Sequence, residues 1–224
     1  MWFHGASNAL AGHVRISYTG AENYAKPDYQ ESMGGGAYVL VPFANERRLE
    51  DGELVGSWGD EYIDPVKALF DTVYKEHAGN ISKVIVFGQS RGAGFNWGYT
   101  FAYPESIDAS VIISGSSVPT DEELDRINEA GVTLLVAHGI HDELAKFELC
   151  MQPHVEKLQS LYNTICYFPE WVRNSDGGVA SINVGKEMGQ HCIINQVQAN
   201  LMYDDGTCYD DRFPEGITGW IRDL

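Results

Sequence analysis

Ser90 lies in Gly88-Gln89-Ser90-Arg91-Gly92, a G-x-S-x-G pattern. A serine hydroxyl is a poor nucleophile until a base takes its proton. The chain offers seven histidines for that task. His191, in Gly189-Gln190-His191, follows the last predicted strand and precedes a predicted helix. His77 falls at a helix end and His154 in a polar helix, and both read as surface residues. An imidazole acting as base needs an acid that holds its tautomer and stabilises its charge. Asp142, in His138-Gly139-Ile140-His141-Asp142, directly follows an apolar run. Glu143 is the alternative acid and Asp176 a more remote one. Ser90, His191 and Asp142 together would perform acyl transfer, with Ser90 attacking a carbonyl carbon.

That chemistry also needs donors for the oxygen that becomes negative in the tetrahedral intermediate. The backbone N–H of Arg91, next after Ser90, is one candidate. The N–H of Ala6, in the loop after His4-Gly5, is the simplest second. The Arg91 guanidinium itself is read as half of a structural salt bridge rather than a catalytic charge. Cys192, beside His191, is discounted as a rival nucleophile, because adjacency in sequence does not give geometry. The four cysteines, Cys150, Cys166, Cys192 and Cys208, show no CxxC spacing, so neither a zinc site nor a thioredoxin-like motif is expected. No metal or organic cofactor is called for. Cys166, in an apolar run, reads as a buried thiol. A Cys192–Cys208 bridge is one of several pairings the sequence leaves open.

The elements around Ser90 are those the pattern requires. Lys83 to Phe87 is an unbroken run with β-branched Val84, Ile85 and Val86 at its centre, the signature of a central parallel strand. A helix from about Gly92 to Tyr103 follows and ends at Pro104. A strand that turns at once into a helix strains the backbone at Ser90 and leaves room only for small flanking residues. The alternation continues with strands at Ser110–Ile113, Val132–Ala137 and Thr164–Phe168, and helices over Asp121–Ala130 and 147–161, the latter broken at Pro153. Earlier in the chain, Ala37–Val41 reads as a buried strand. A helix starts at Asp64-Pro65, with Asp64 as N-cap, and stops near Gly79. Cys192 to Leu201 reads as a final amphipathic helix. Alternating strands and helices predict an α/β protein with a mostly parallel central sheet flanked by helices.

The bulk numbers fit one large domain spanning residues 1–224, with 44% hydrophobic and 12% aromatic residues to build its core. Acidic residues outnumber basic ones 32 to 15, a formal charge of -17. Such a surface repels phosphate backbones and anionic bilayers, so neither nucleic acid nor membrane is an expected partner. No apolar run approaches the ~18 residues of a membrane span. The opening residues lack the charged leader and long apolar stretch of a signal peptide. A cytoplasmic protein, or a secreted one with its leader removed, is therefore expected.

The His4-Gly5 loop, the turn at Ser90, the post-strand Asp142 and the late His191 resemble the α/β-hydrolase superfamily over nearly the whole chain. In finer detail the chain is similar to bacterial carboxylesterases and feruloyl or acetylxylan esterases, and to peptidases related to the prolyl oligopeptidase catalytic domain. Tyr38-Val39-Leu40-Val41-Pro42, Ser57-Trp58-Gly59-Asp60 and Pro214-Glu215-Gly216-Ile217-Thr218-Gly219-Trp220 carry that finer likeness. The resemblance implies a serine esterase acting on a small-molecule or carbohydrate-linked ester. The alternatives are a serine peptidase and a hydrolase-fold binding protein that has lost catalysis. Such enzymes usually begin with one or two more strands, so either those are missing here or the sheet is minimal. Trp58, Trp171 and Tyr24 fall in loops predicted at the carboxyl side of the sheet, where they would stack on a substrate ring. Trp97 and Trp220 read as core. Glu46, Arg47 and Arg48 read as a solvated loop.

Overall fold

The computed structural model describes residues 1–10, 20–180 and 189–224. Parts of the polar stretch after His4-Gly5, including His13, and of the loop before His191 lie outside them. In chain order the described elements are β1 (Trp2–Phe3), α1 (Pro27–Ser32), β2 (Arg47–Arg48), β3 (Leu54–Val55), α2 (Ile63–His77), β4 (Ile85–Gln89), α3 (Arg91–Ala102), β5 (Ala109–Ile113), α4 (Asp121–Glu129), β6 (Thr133–Ala137), α5 (Phe147–Cys150), α6 (Val155–Ser160), β7 (Thr164–Tyr167), α7 (Ile194–Gln198) and α8 (Gly216–Asp223). The central sheet runs β1-β4-β5-β6-β7, and every neighbouring pair is parallel. A small antiparallel pair, β2 and β3, stands apart.

Alternate residues of each strand feed opposite faces. Phe3, Val86, Ile112, Leu134 and Val136 join one apolar cluster with Phe95 and Tyr99 of α3, Leu124 and Ile127 of α4 and Leu158 of α6. Trp2, Phe87, Val111, Ile113, Leu135 and Ala137 join a second with Val197 of α7 and Ile217 and Ile221 of α8. Burial on both faces explains why the strands are apolar throughout rather than alternating. Near α4, Thr120 and Glu123 form a capping box, which fixes that helix's start. The broken helix at Pro153 is also found: a 3-10 turn over Gln152–His154 separates α5 from α6.

Four expectations need correction. Ala37–Val41 is not a strand. It meets β1 through one backbone bond, Trp2 N–H to Leu40 O at 2.9 Å, and Tyr38 is exposed. Asp64 does not cap α2, which starts one residue earlier after a 3-10 turn over Asp60–Tyr62. Its carboxylate instead accepts the Tyr103 hydroxyl at 2.6 Å. The helix expected from Cys192 to Leu201 is a 3-10 turn over Gln190–Ile193 followed by the short α7, and the chain's last helix is α8. Trp220, on α8, is only half-buried, whereas Trp97 is buried as expected. Among the described residues no helix is long and apolar enough to cross a membrane.

Candidate active site

Ser90 forms the turn between β4 and α3, with φ 54° and ψ -115°. This region is strained for any residue with a Cβ. The surroundings hold it there. Its N–H donates to Ile113 O at 2.8 Å, and its carbonyl accepts the N–H groups of Ala93 and Gly94. Both flanking glycines are obligatory on steric grounds. A Cβ at Gly88 would lie 2.3 Å from Gly92 O and 2.7 Å from Asn96 Cβ, and one at Gly92 would lie 2.4 Å from Phe3 O.

The Ser90 Oγ lies 3.0 Å from His191 Nε2. On the other side of the ring, Nδ1 lies 2.8 Å from Asp142 Oδ2 and 3.0 Å from Oδ1. A carboxylate can only accept, so Nδ1 carries a proton, and in the neutral ring Nε2 is then free to accept from the serine hydroxyl. The three residues come from the β4–α3 turn, the loop after β6 and the turn before α7, which meet at the carboxyl end of the sheet. The Asp142 side chain is fully buried. Burial pushes its carboxyl up. The hydrogen bond and charge of His191, with the N–H groups of Ala145 and Leu144 at 2.8 Å each, outweigh that and hold it below the usual carboxylate range.

Ala6 lies in the loop after β1, and Arg91 is the first residue of α3, directly after Ser90. No described residue accepts from either N–H. The next N–H along, that of Ser7, is already used: it donates to Glu46 Oε1 at 3.2 Å, while Ala9 N–H donates to Oε2 at 3.1 Å. The Ser57 hydroxyl donates to the same carboxylate at 2.7 Å. Glu46 is thus a buried anchor for the loop carrying Ala6, not a member of a solvated loop. The Arg91 side chain is exposed and makes no ion pair with any described residue, so the salt bridge expected for it is not found there.

The other histidines have other tasks. His4 is buried; its Nε2 accepts Ala44 N–H at 3.1 Å and its Nδ1 faces Gly5 O at 2.7 Å. Its ring is therefore built into the loop. His138 Nε2 donates to Ala145 O at 2.6 Å, against the back of Asp142. His141 is exposed and packs on Trp171, with ring centroids 4.0 Å apart. Glu143, the alternative acid, bonds to main chain rather than to the imidazole ring.

Two aromatics expected to meet substrate are core residues. Trp58 is 3% exposed, stacks on Phe95 at 4.6 Å and donates its indole N–H to His4 O at 3.0 Å. Tyr24 is 5% exposed, packs on Trp2 and Phe87 and donates its hydroxyl to Val197 O. A loop aromatic next to a thin edge of sheet is drawn inward by its own apolar area. Trp171 is exposed and lines a cleft of about 550 Å³ with Phe168, Arg173, Tyr203, Tyr209 and Arg212. That cleft touches neither Ser90 nor His191. The four cysteines are unpaired, and burial pushes the Cys192 thiol up, which disfavours a thiolate there. Among the described residues no three of His, Cys, Asp and Glu converge as metal ligands would.

Solved structures of similar shape include a thermostable esterase and SOBER1 of Arabidopsis thaliana. The esterase aligns over 76% of this chain and 46% of its own, at 20% identity and a TM-score of 0.51. SOBER1 aligns over 88% of this chain and 94% of its own, at 19% identity and a TM-score of 0.50. The chain thus spans less than half of the first protein and nearly all of the second. No family model and no curated protein matches it. At such identities the likeness is one of fold.

Proposed function

The chain has the α/β-hydrolase fold, and on it we propose a serine hydrolase of carboxylic esters. The observation that carries this reading is the unbroken run of hydrogen bonds from Ser90 through His191 to Asp142. Ser90 Oγ attacks the ester carbonyl while His191 Nε2 takes its proton. The carbonyl oxygen becomes an oxyanion facing the N–H groups of Arg91 and Ala6, with the N-terminus of α3 adding its dipole. Asp142 stabilises the imidazolium. His191 then gives its proton to the leaving alcohol, and the acyl group stays on Ser90. Water, deprotonated by His191, attacks the acyl-enzyme and releases the acid by the same route. A neutral base that is hydrogen-bonded to a hydroxyl and backed by an ionised carboxylate is what this sequence of proton transfers requires.

The reading is tested with short-chain p-nitrophenyl esters and a fluorophosphonate probe. The wild type is expected to hydrolyse the esters and to label on Ser90. Ser90→Ala and His191→Ala, each checked for folding, are expected to lose activity by roughly 10⁴-fold or more. A folded Ser90→Ala variant with full activity, or a wild type that neither hydrolyses nor labels, would overturn the reading.

A further inference from the structure

Glu143 adjoins Asp142 in sequence but faces a different target. Its Oε2 accepts the N–H of His191 at 3.0 Å, and its two oxygens accept the N–H of Gln190 at 3.1 and 3.2 Å. These are the first N–H groups of the 3-10 turn over Gln190–Ile193, and groups in that position find no acceptor within their own helix. The N-cap of the turn is Gly189, which has no side chain to supply one. Glu143 reaches across from the loop after β6 and supplies it.

The carbonyl of His191 is held from the opposite direction. The Ser114 hydroxyl donates to it at 2.9 Å. Ser114 is fully buried, with φ 49°, directly after β5. Its own N–H is fixed on Ala137 O. The last carbonyl of β5, at Ile113, accepts the N–H of Ser90. One tie at His191 therefore leads to the loop that carries the acid, and the other to the strand that holds the nucleophile. Gln190 adds lateral bracing: its side chain accepts Val172 N–H at 2.7 Å and donates to Ala180 O at 2.8 Å.

Imidazole can bridge Ser90 and Asp142 only if its Cα is fixed as well as its ring, and a displacement of about 1 Å in such a constellation costs roughly 10²-fold in rate. We propose that Glu143 is a positioning residue: it holds the main chain at Gln190 and His191, with Ser114 closing the other side, and so sets the imidazole between Asp142 and Ser90. The proposal rests on the hydrolase reading above and replaces the view of Glu143 as a spare acid. A glutamine oxygen retains two lone pairs, enough to accept both N–H groups, whereas alanine accepts none.

The test measures p-nitrophenyl acetate hydrolysis for the wild type, Glu143→Ala, Glu143→Gln and Ser114→Ala, with Ser90→Ala as the inactive reference. Amide hydrogen exchange of a peptide containing Gln190 and His191 provides a readout independent of activity. In folded Glu143→Ala, kcat is expected to fall roughly 10- to 100-fold with KM nearly unchanged, and exchange at Gln190 and His191 to accelerate. Glu143→Gln is expected to recover most of kcat and of the protection. Ser114→Ala leaves Glu143 in place and is expected to lower kcat in the same direction, so a Glu143→Ala chain that does not fold leaves the test intact. Wild-type kcat and wild-type exchange in Glu143→Ala would overturn the proposal. So would a Glu143→Gln variant as impaired as Glu143→Ala, because charge rather than placement would then be at work. A further arm decides the spare-acid view: if Glu143→Gln removes the residual activity of Asp142→Ala while harmless alone, Glu143 is an acid and the proposal fails. If Ser90→Ala is as active as the wild type, the hydrolase reading fails, while the exchange arm still judges the clamp.

Discussion

Gly92 approaches Phe3 so closely that a Cβ on it would lie 2.4 Å from the Phe3 carbonyl oxygen and 2.5 Å from that of His4. The first turn of α3 and the end of β1 are therefore packed backbone on backbone, and the loop carrying Ala6 leaves from that contact. Backbone cannot yield as a flexible side chain can. Gly92→Ala is expected to cost roughly 1–3 kcal/mol, the usual range for overpacking, and to lower esterase activity by shifting the Ala6 loop. Gly94, on the same helix, is the control. A Cβ there meets only Ser117 Oγ at 3.4 Å, so Gly94→Ala should be neutral or should gain up to about 1 kcal/mol of helix propensity. Urea denaturation of both variants decides it. Equal stabilities would mean that the close approach at Gly92 relaxes without loss.

Glu46 governs the other half of the same loop. Its carboxylate takes the N–H groups of Ser7 and Ala9 and the hydroxyl of Ser57, while the Ala6 N–H has no acceptor among the described residues. Glu46→Ala is expected to lower kcat by roughly 10²-fold, comparable with loss of an oxyanion donor, while Ser90 and His191 remain in contact. The check is kinetic: kcat for a p-nitrophenyl ester should fall with little change in KM, in a variant whose circular dichroism matches the wild type. Unchanged kcat in Glu46→Ala would overturn the proposed oxyanion role of Ala6.

These two carboxylates mark where the sequence stops being legible. The meeting of Ser90, Asp142 and His191 is readable because each stands at a fixed place in a strand–loop–helix pattern, and the strands announce themselves by apolar runs. Glu46 reads as part of a solvated loop, and Glu143 as a spare acid. Their roles are side-chain bonds to main-chain N–H groups 37 to 48 residues away, and such bonds leave no periodicity behind. Gly189, a turn start with no capping side chain, is the faint signal that a distant acceptor is required. Ala37–Val41 has the composition of a buried strand, yet it forms one bond to β1 and none of its residues is buried, since composition does not say whether other elements cover a segment on both sides. The placement of Trp58 and Tyr24 fails for a related reason: a loop position in sequence does not say which way a large apolar ring turns.

The burial of Trp58 can be set against the exposure of Trp171. Trp58 packs among Phe3, Tyr62 and Phe95 and ties its N–H to His4 O. Trp58→Ala is expected to cost about 3–5 kcal/mol, the range for emptying a large aromatic site. Trp171 is 44% exposed and rests on His141, and Trp171→Ala is expected to change stability by no more than about 0.5 kcal/mol. Chemical denaturation measures both. A Trp58→Ala variant as stable as Trp171→Ala would return Trp58 to the list of residues free to meet a substrate.

His138 makes the acid side of the stability curve informative. Burial lowers its pKa below the ordinary 6.5, against the opposing pull of the Ala145 hydrogen bond and of Asp142. In the folded protein it is a neutral ring with Nε2 on Ala145 O, and Nδ1 has no hydrogen-bond partner among the described residues. Below pH 6.5 the unfolded chain binds a proton at this position that the folded chain refuses. The folded state therefore has its full His138 contribution above that pH and loses it as pH falls toward the lower, folded value. Asp142 adds a second loss. Its folded pKa lies below the ordinary 3.8, so the stability it contributes is present above 3.8 and disappears as pH falls through the folded value. His138→Gln, which can still donate to Ala145 O, should abolish the first loss and keep the second. Asp142→Asn should do the reverse. Thermal melts of the three proteins from pH 8 to pH 3 measure this as differences in slope, which cancels the titration of the remaining histidines. If the wild type and His138→Gln lose stability in parallel below pH 6.5, His138 does not carry the acid sensitivity assigned to it.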